Sequence, residues 1–311
     1  MRRIQYHQYG GPETMRLEEF ELAAPKKGEV AVRVSATSVN PIDWKLRQGQ
    51  LKMMTGRSFP RTMGSDFAGT VLAVGEGVTQ FAEGDEVFGI ARLKESGAFG
   101  EAVITTEDFL AHRPDGLSIA QAATLPTGAT MGWLGLVEQA DVQPNQRVFV
   151  AGCTGGVGEA AVQIARLRGA TVDGSCSAAQ QPRARDLGVA EVNDYATYDP
   201  ALSAGAYDVV YDTAGTLPVK TAMQMLTKHG TFLDINATPR KFLHSALVRR
   251  HKIFFCTPTT ELLTHVAKAA TDGSLTASIG TTTDLDGAIG IIGQLENGLK
   301  ISGKALIEVR R

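Results

Sequence analysis

The sequence predicts an α/β fold in which a doubly wound parallel sheet is inserted between parts of a mostly β domain. Three observations carry this expectation. Residues 148–172 read strand, glycine-rich turn, helix and second strand without interruption. Further apolar strands then recur at helix-length intervals, whereas the first hundred residues alternate with the period of two that marks half-buried antiparallel strands.

Along the chain, Val30, Val32, Val34 and Ala36 alternate with Ala31, Arg33, Ser35 and Thr37. Short strands are predicted over 67–74, 86–90 and 99–105, separated by turns such as Gly75-Glu76-Gly77 and Glu83-Gly84-Asp85. Residues 119–140 read as helical, broken into two pieces by Pro126 and Gly128. Val148, Phe149 and Val150 suit a parallel strand buried on both faces, and Val157, Ala161, Ile164, Ala165 and Arg168 follow at helical spacing. Between them lie Gly152, Gly155, Gly156 and Gly158. Glycines let backbone amides approach a pyrophosphate, and the helix N-terminus supplies unpaired N–H donors for that anion. A dinucleotide is the ligand this pattern suits. Strands over 170–174, 190–193, 207–211, 231–235 and 253–256, with a helix over 217–228, complete the parallel sheet. Helices over 261–271 and 285–295 and a last strand over 305–309 form a tail expected to rejoin the β domain. The predicted domains are therefore 1–118 with 260–311, and 119–259.

A chain of 311 residues with 43% hydrophobic and 21% charged residues has material for two cores. Its formal charge of −2 offers no general attraction to nucleic acid or anionic membrane. Cys153, Cys176 and Cys256 lie far apart without metal-ligand spacing, which points to a reducing, cytoplasmic setting. The opening MRRIQYHQYG lacks the apolar core of a signal peptide, and no run is long enough to cross a bilayer.

Several ordered motifs resemble the medium-chain dehydrogenase/reductase superfamily and, within it, the zinc-independent quinone oxidoreductase branch. They are SVNPIDWKLRQG (38–49), GSDFAGTVLAVGEGVTQFAEGDEVFG (64–89), LPTGATMGWLGL (125–136), the GCTGGVG turn, LGVAEVNDY (187–195), YDVVYDTAG (207–215) and SGKALIEV (302–309). The resemblance implies a Rossmann sheet set within a GroES-like catalytic domain and a reductase of quinones or α,β-unsaturated carbonyls. A nucleotide-binding protein of crystallin type without useful catalysis, and an enoyl-thioester reductase, are the competing readings. It also implies a homodimer extended through the strand near 253–256.

Zinc-dependent relatives carry a cysteine within the segment matching SVNPID, and a histidine with a glutamate after the glycine matching Gly64. Here those places hold Asn40, Pro41, Ser65 and Asp66, so no metal is expected. By the same correspondence Asn40 and Thr130 flank the nicotinamide and its ribose. Thr154, Gly155, Gly156 and Val157 lie at the pyrophosphate, Tyr195 lies against the adenosine, and Phe255 and Cys256 touch the carboxamide side. The second strand ends in Gly174, Ser175, Cys176 and Ser177 instead of the acidic residue that favours NADH. Ser175, Ser177, Gln180 and Arg183, or Arg185, are thus candidates for a 2′-phosphate, and NADPH is the expected cofactor. Gln180 replaces the lysine of many relatives, and Asp173 favours NADH if its side chain reaches the ribose.

Hydride transfer needs alignment and a donor for the negative charge that grows on the substrate oxygen. Asn40, Lys45 and Thr127 are the candidate catalytic residues, although a surface ion pair with Asp43 is the stronger reading for Lys45. Trp44, Met53 and Met54 are candidates for an apolar substrate wall or for core. The histidines fall outside the motifs, and the basic run 249–252 reads as a solvated loop.

Overall fold

The structure, a computed structural model, describes residues 1–309; residues 310 and 311, the end of the expected catalytic domain, lie outside the described residues. The chain forms two compact units, Met1–Thr127 together with the residues from Pro258 onward, and Gly128–Thr257.

The first unit opens with β1 (Arg2–Tyr6), β2 (Met15–Glu19), β3 (Glu29–Ser38), α1 (Pro41–Arg47) and α2 (Lys52–Thr55). It continues with β4 (Arg61–Thr62), β5 (Asp66–Val74), β6 (Glu86–Ile90), β7 (Ala102–Thr106), β8 (Leu110–His112) and α3 (Ile119–Thr124). Antiparallel pairing of β3 with β5, which sets Val34 opposite Gly69 and Ser38 opposite Asp66, gives the main sheet its spine. The alternation seen in the sequence buries Val30, Val32 and Val34 against Phe67, Val87 and Leu110. Helix α1 begins where Pro41, whose fixed φ suits a first helical residue, follows Asn40. The Asp43 carboxylate accepts the Asn40 backbone N–H at 2.7 Å and closes that end.

Next come α4 (Pro126–Trp133), a wider π-helical turn over Leu134–Gln139, and the second unit's β9 (Arg147–Ala151), α5 (Gly156–Leu167), β10 (Thr171–Cys176), α6 (Gln181–Asp186) and β11 (Val192–Asp194). The series ends with β12 (Tyr207–Asp212), α7 (Val219–Met225), β13 (Leu226–Asp234), α8 (Pro239–Leu247) and β14 (His251–Ile253). These six strands form one parallel sheet in the order β11-β10-β9-β12-β13-β14. The order reverses between β9 and β12, and the carboxyl ends of those two strands are where open α/β sheets place a ligand. Val148, Phe149 and Val150 are fully buried, as strands covered on both faces require.

The chain then returns to the first unit through α9 (Thr260–Thr271), β15 (Ile279–Asp284), α10 (Ala288–Glu296) and β16 (Lys304–Glu308). Strand β16 pairs antiparallel with β3, placing Leu306 opposite Ser38, so the tail rejoins the β sheet as expected. Two expectations are corrected, and one sheet is new. Residues 226–228, predicted helical, begin β13, where Leu226 is buried against Phe149 and Phe232. Strand β14 ends at Ile253, so Phe255 and Cys256 follow it instead of belonging to it. The sheet of β1, β2 and β4 was not anticipated at all.

Candidate active site

In the second unit the glycine turn leaves β9 at Ala151. Gly152 adopts φ +77°, a left-handed conformation that disfavours side chains. The amides of Gly152 and Cys153 both donate to Ser175 O, at 2.9 and 3.1 Å, and bind the turn to the end of β10. Gly155 and Gly156 are exposed, and α5 starts there with first-turn amides that no helical carbonyl can satisfy. Thr154 and Val157 are half-buried beside them. On α4 the Thr130 hydroxyl is buried and makes no hydrogen bond, an orphan of the kind a polar ligand satisfies. A glycine cradle, free helical amides and an unpaired hydroxyl fit a dinucleotide.

The residues expected at the ribose are more constrained than the sequence suggests. Asp173 lies early on β10, accepting from Arg147 Nη2 at 2.6 Å and from Glu191 N at 3.1 Å, which commits it to the opposite end of the strand. Arg183 donates to Glu159, a buried carboxylate in the first turn of α5, and to Thr154 O at 3.3 Å. Its guanidinium therefore neutralises an acid that would oppose an anion at the helix terminus and braces the turn. Ser175 is buried, Ser177 and Gln180 are half-buried, and Tyr195 and Arg185 are exposed. Phe255 is partly exposed and stacks on Phe242 with ring centroids 6.0 Å apart. Sequence reasoning assigned no role to Asp212 at the end of β12. Its carboxylate accepts the amides of Gly215, Thr216 and Leu217 and shapes the neighbouring turn.

In the first unit Asn40, Thr127 and Asp66 meet around one carboxylate. Asp66, fully buried, accepts from Asn40 Nδ2 at 2.9 Å, Ser38 Oγ at 3.4 Å, Thr127 N at 3.0 Å, the Thr127 hydroxyl, and Lys304 Nζ at 2.8 Å. Lys304, at the start of β16, also donates to Thr124 O at 3.1 Å. Asp43 turns inward to Asn40 N and to Ser65 Oγ (2.8 Å), away from a pairing with Lys45, which is half-buried on α1. Trp44 packs at the edge of the core formed by Ile4, Tyr6 and Met63, whereas Met53 stands 97% exposed.

Zinc does not fit this donor set. One candidate carboxylate is occupied by an ammonium, the other by an amide and a hydroxyl, and no thiol or imidazole is among them. Among the described residues no three His, Cys, Asp or Glu side chains are grouped to hold a metal.

Burial pushes the Asp43 carboxyl up to about 7, outweighing the hydrogen bonds from Asn40 N and Ser65 that favour its anion. The folded protein thus holds this proton more tightly than the unfolded chain does. The resulting stabilisation is complete below the ordinary value of 3.8 and is lost as pH rises to about 7. Asp43→Asn, which stays neutral, is expected to gain on the wild type by up to about 4 kcal/mol between pH 4 and pH 8. Urea unfolding at the two pH values measures it; a constant difference between the proteins contradicts the assignment.

Comparison with known proteins agrees with this architecture. Residues 26–132 match the alcohol dehydrogenase GroES-like domain, and residues 156–243 match the zinc-binding dehydrogenase domain, whose metal the present donor set does not suit. Quinone-oxidoreductase QR1, chloroplastic, of Triphysaria versicolor is 32% identical over 259 residues, covering 80% of this chain and 79% of its own. The chloroplastic quinone-oxidoreductase homolog of Spinacia oleracea is 33% identical over 250 residues, covering 77% and 76%. The structure of the quinone oxidoreductase from Coxiella burnetii superposes with a TM-score of 0.89 at 28% identity, covering 100% of this chain and 99% of that one. Fold, motif order and relatives converge, and the chain belongs to the quinone oxidoreductase branch of the medium-chain dehydrogenase/reductase superfamily.

Proposed function

We propose that this protein is a metal-free, NADPH-dependent reductase of small quinones or α,β-unsaturated carbonyls. The observation that carries the reading is the exposed glycine turn at the carboxyl end of β9, where free helical amides await a diphosphate. In this reading residues 119–259 bind the nucleotide, and residues 1–118 with 260–311 shape the substrate side.

The bound nucleotide supplies a hydride, and the protein contributes position and electrostatics. Thr154, Gly155, Gly156 and Val157 hold the diphosphate through backbone amides. Thr130 offers its unpaired hydroxyl to the nicotinamide half. Ser175, Ser177 and Gln180 line the adenosine ribose, with Tyr195 beside the base. The absence of an acid at the end of β10, together with the commitment of Asp173 elsewhere, favours NADPH over NADH. Arg183, held on Glu159 and Thr154 O, adds positive charge near a 2′-phosphate, and Phe255 and Cys256 adjoin the carboxamide. Lys45 is the cation available to a substrate oxygen that gains negative charge. The three cysteines form no disulfide, which suits a reducing compartment, for which we propose the cytoplasm. Partly exposed Phe242 and exposed Leu247 beside the outer strand β14 support a homodimer.

Purified protein is expected to oxidise NADPH in the presence of a small quinone or enone, more efficiently than NADH, and to be unaffected by chelators. Absorbance at the reduced-nicotinamide band follows it. Tight nucleotide binding without turnover across a panel of electrophiles would replace this reading with the crystallin-type one.

A further inference from the structure

The buried carboxylate of Asp66 does more than fill a polar gap. An ionised carboxylate accepts hydrogen bonds and donates none. The Asn40 amide lies against two acceptors, Asp66 Oδ2 at 2.9 Å and Ser38 O at 3.5 Å, so its NH2 must face inward. Its carbonyl oxygen, which lies over the Asp43 backbone N–H in the capping box of α1, keeps a second lone pair for a ligand. The same logic applies to Thr127, whose hydroxyl and backbone N–H both point to Asp66 Oδ1. Its proton is committed inward, leaving lone pairs outward on a half-exposed residue. Lys304, donating to Asp66 Oδ2 and Thr124 O, pins the carboxylate in place.

We propose that Asp66 is a positioning residue that sets the hydrogen-bonding polarity of Asn40 and Thr127, making both acceptors for the donor groups of the cofactor's nicotinamide riboside half. Those donors are the ribose hydroxyls or the carboxamide N–H. This inference rests on the NADPH reading above. It also changes the roles expected from sequence: neither Asn40 nor Thr127 has a free proton for a negatively charged substrate oxygen, so both serve the nucleotide.

The test is equilibrium titration of NADPH into wild type, Asp66→Asn, Thr127→Val and Thr127→Ser, with steady-state kinetics on a quinone and thermal melts to confirm folding. Asp66→Asn introduces a donor that lets the Asn40 amide and the Thr127 hydroxyl turn round. It is expected to weaken NADPH about tenfold and to raise KM for NADPH more than it lowers kcat. Thr127→Val is expected to weaken binding about fivefold, and Thr127→Ser to restore it. Titration of the reduced 3-acetylpyridine analogue, which lacks the carboxamide N–H, separates the two donor sources. An Asp66→Asn penalty that vanishes with this analogue assigns the carboxamide; one that persists assigns the ribose. A folded Asp66→Asn protein that binds NADPH within twofold of wild type overturns the inference. If that variant does not fold, Thr127→Val with wild-type affinity overturns it. A wild type that binds no pyridine nucleotide overturns the proposed function as well.

Discussion

Gly158→Ala is expected to abolish measurable NADPH binding and to destabilise the second unit by about 3 kcal/mol. A Cβ at this position would stand 2.0 Å from Gly152 O, 2.8 Å from Gly152 C and 2.9 Å from Cys153 Cα. All three are backbone atoms of the glycine turn, and no side chain can swing aside to make room. Either α5 moves away from β9 or the turn opens, and both displace the amides that would face the diphosphate. Gly290→Ala provides the contrast: it lies on α10 with nothing within 4 Å of its added carbon. That change is expected to stabilise the protein by up to about 1 kcal/mol through helix propensity. Calorimetry and nucleotide titration of both variants decide the matter; equal behaviour of the two would refute the close-packing argument.

Lys304→Met is the second large effect. It removes the one ammonium paired with Asp66 and leaves a carboxylate that is fully buried without its counter-charge. Breaking such a pair from one side costs about 3–5 kcal/mol, whereas replacing both charges by neutral groups is often close to neutral. Lys304→Met is therefore expected to lower the unfolding free energy by that amount, and Asp66→Asn combined with Lys304→Met to recover most of it. A double-mutant cycle from denaturant unfolding gives the coupling directly. Additive effects of the two changes would mean that the pair contributes little beyond packing.

Much of this fold was readable because it depends on local periodicity. The continuous apolar run at Val148–Val150, the glycine turn and the helical spacing after it lie within two dozen residues, and each reports the same βαβ geometry. The alternation from Val30 to Ala36 likewise revealed β3. Pairings across long separations were not readable. SGKALIEV marked the chain's relatives, yet nothing near Lys304 says that its ammonium meets Asp66, 238 residues away along the chain. The pairing of Arg183 with Glu159 was equally hidden, since both residues suit a solvated helix face when viewed singly. The apolar pattern predicts a helix to residue 228 because Leu226 continues the spacing of α7, while its side chain already packs in the core beside β13.

The two units differ in how their chain is supplied. Every strand of the parallel sheet comes from one continuous stretch, Gly128–Thr257, whereas β3 waits for β16 and Asp66 waits for Lys304. During synthesis the ribosome delivers the second unit complete while the earlier β sheet still lacks an edge partner and its buried counter-ion. The sheet of the first unit is therefore expected to gain its β16 edge only after the second unit has left the ribosome.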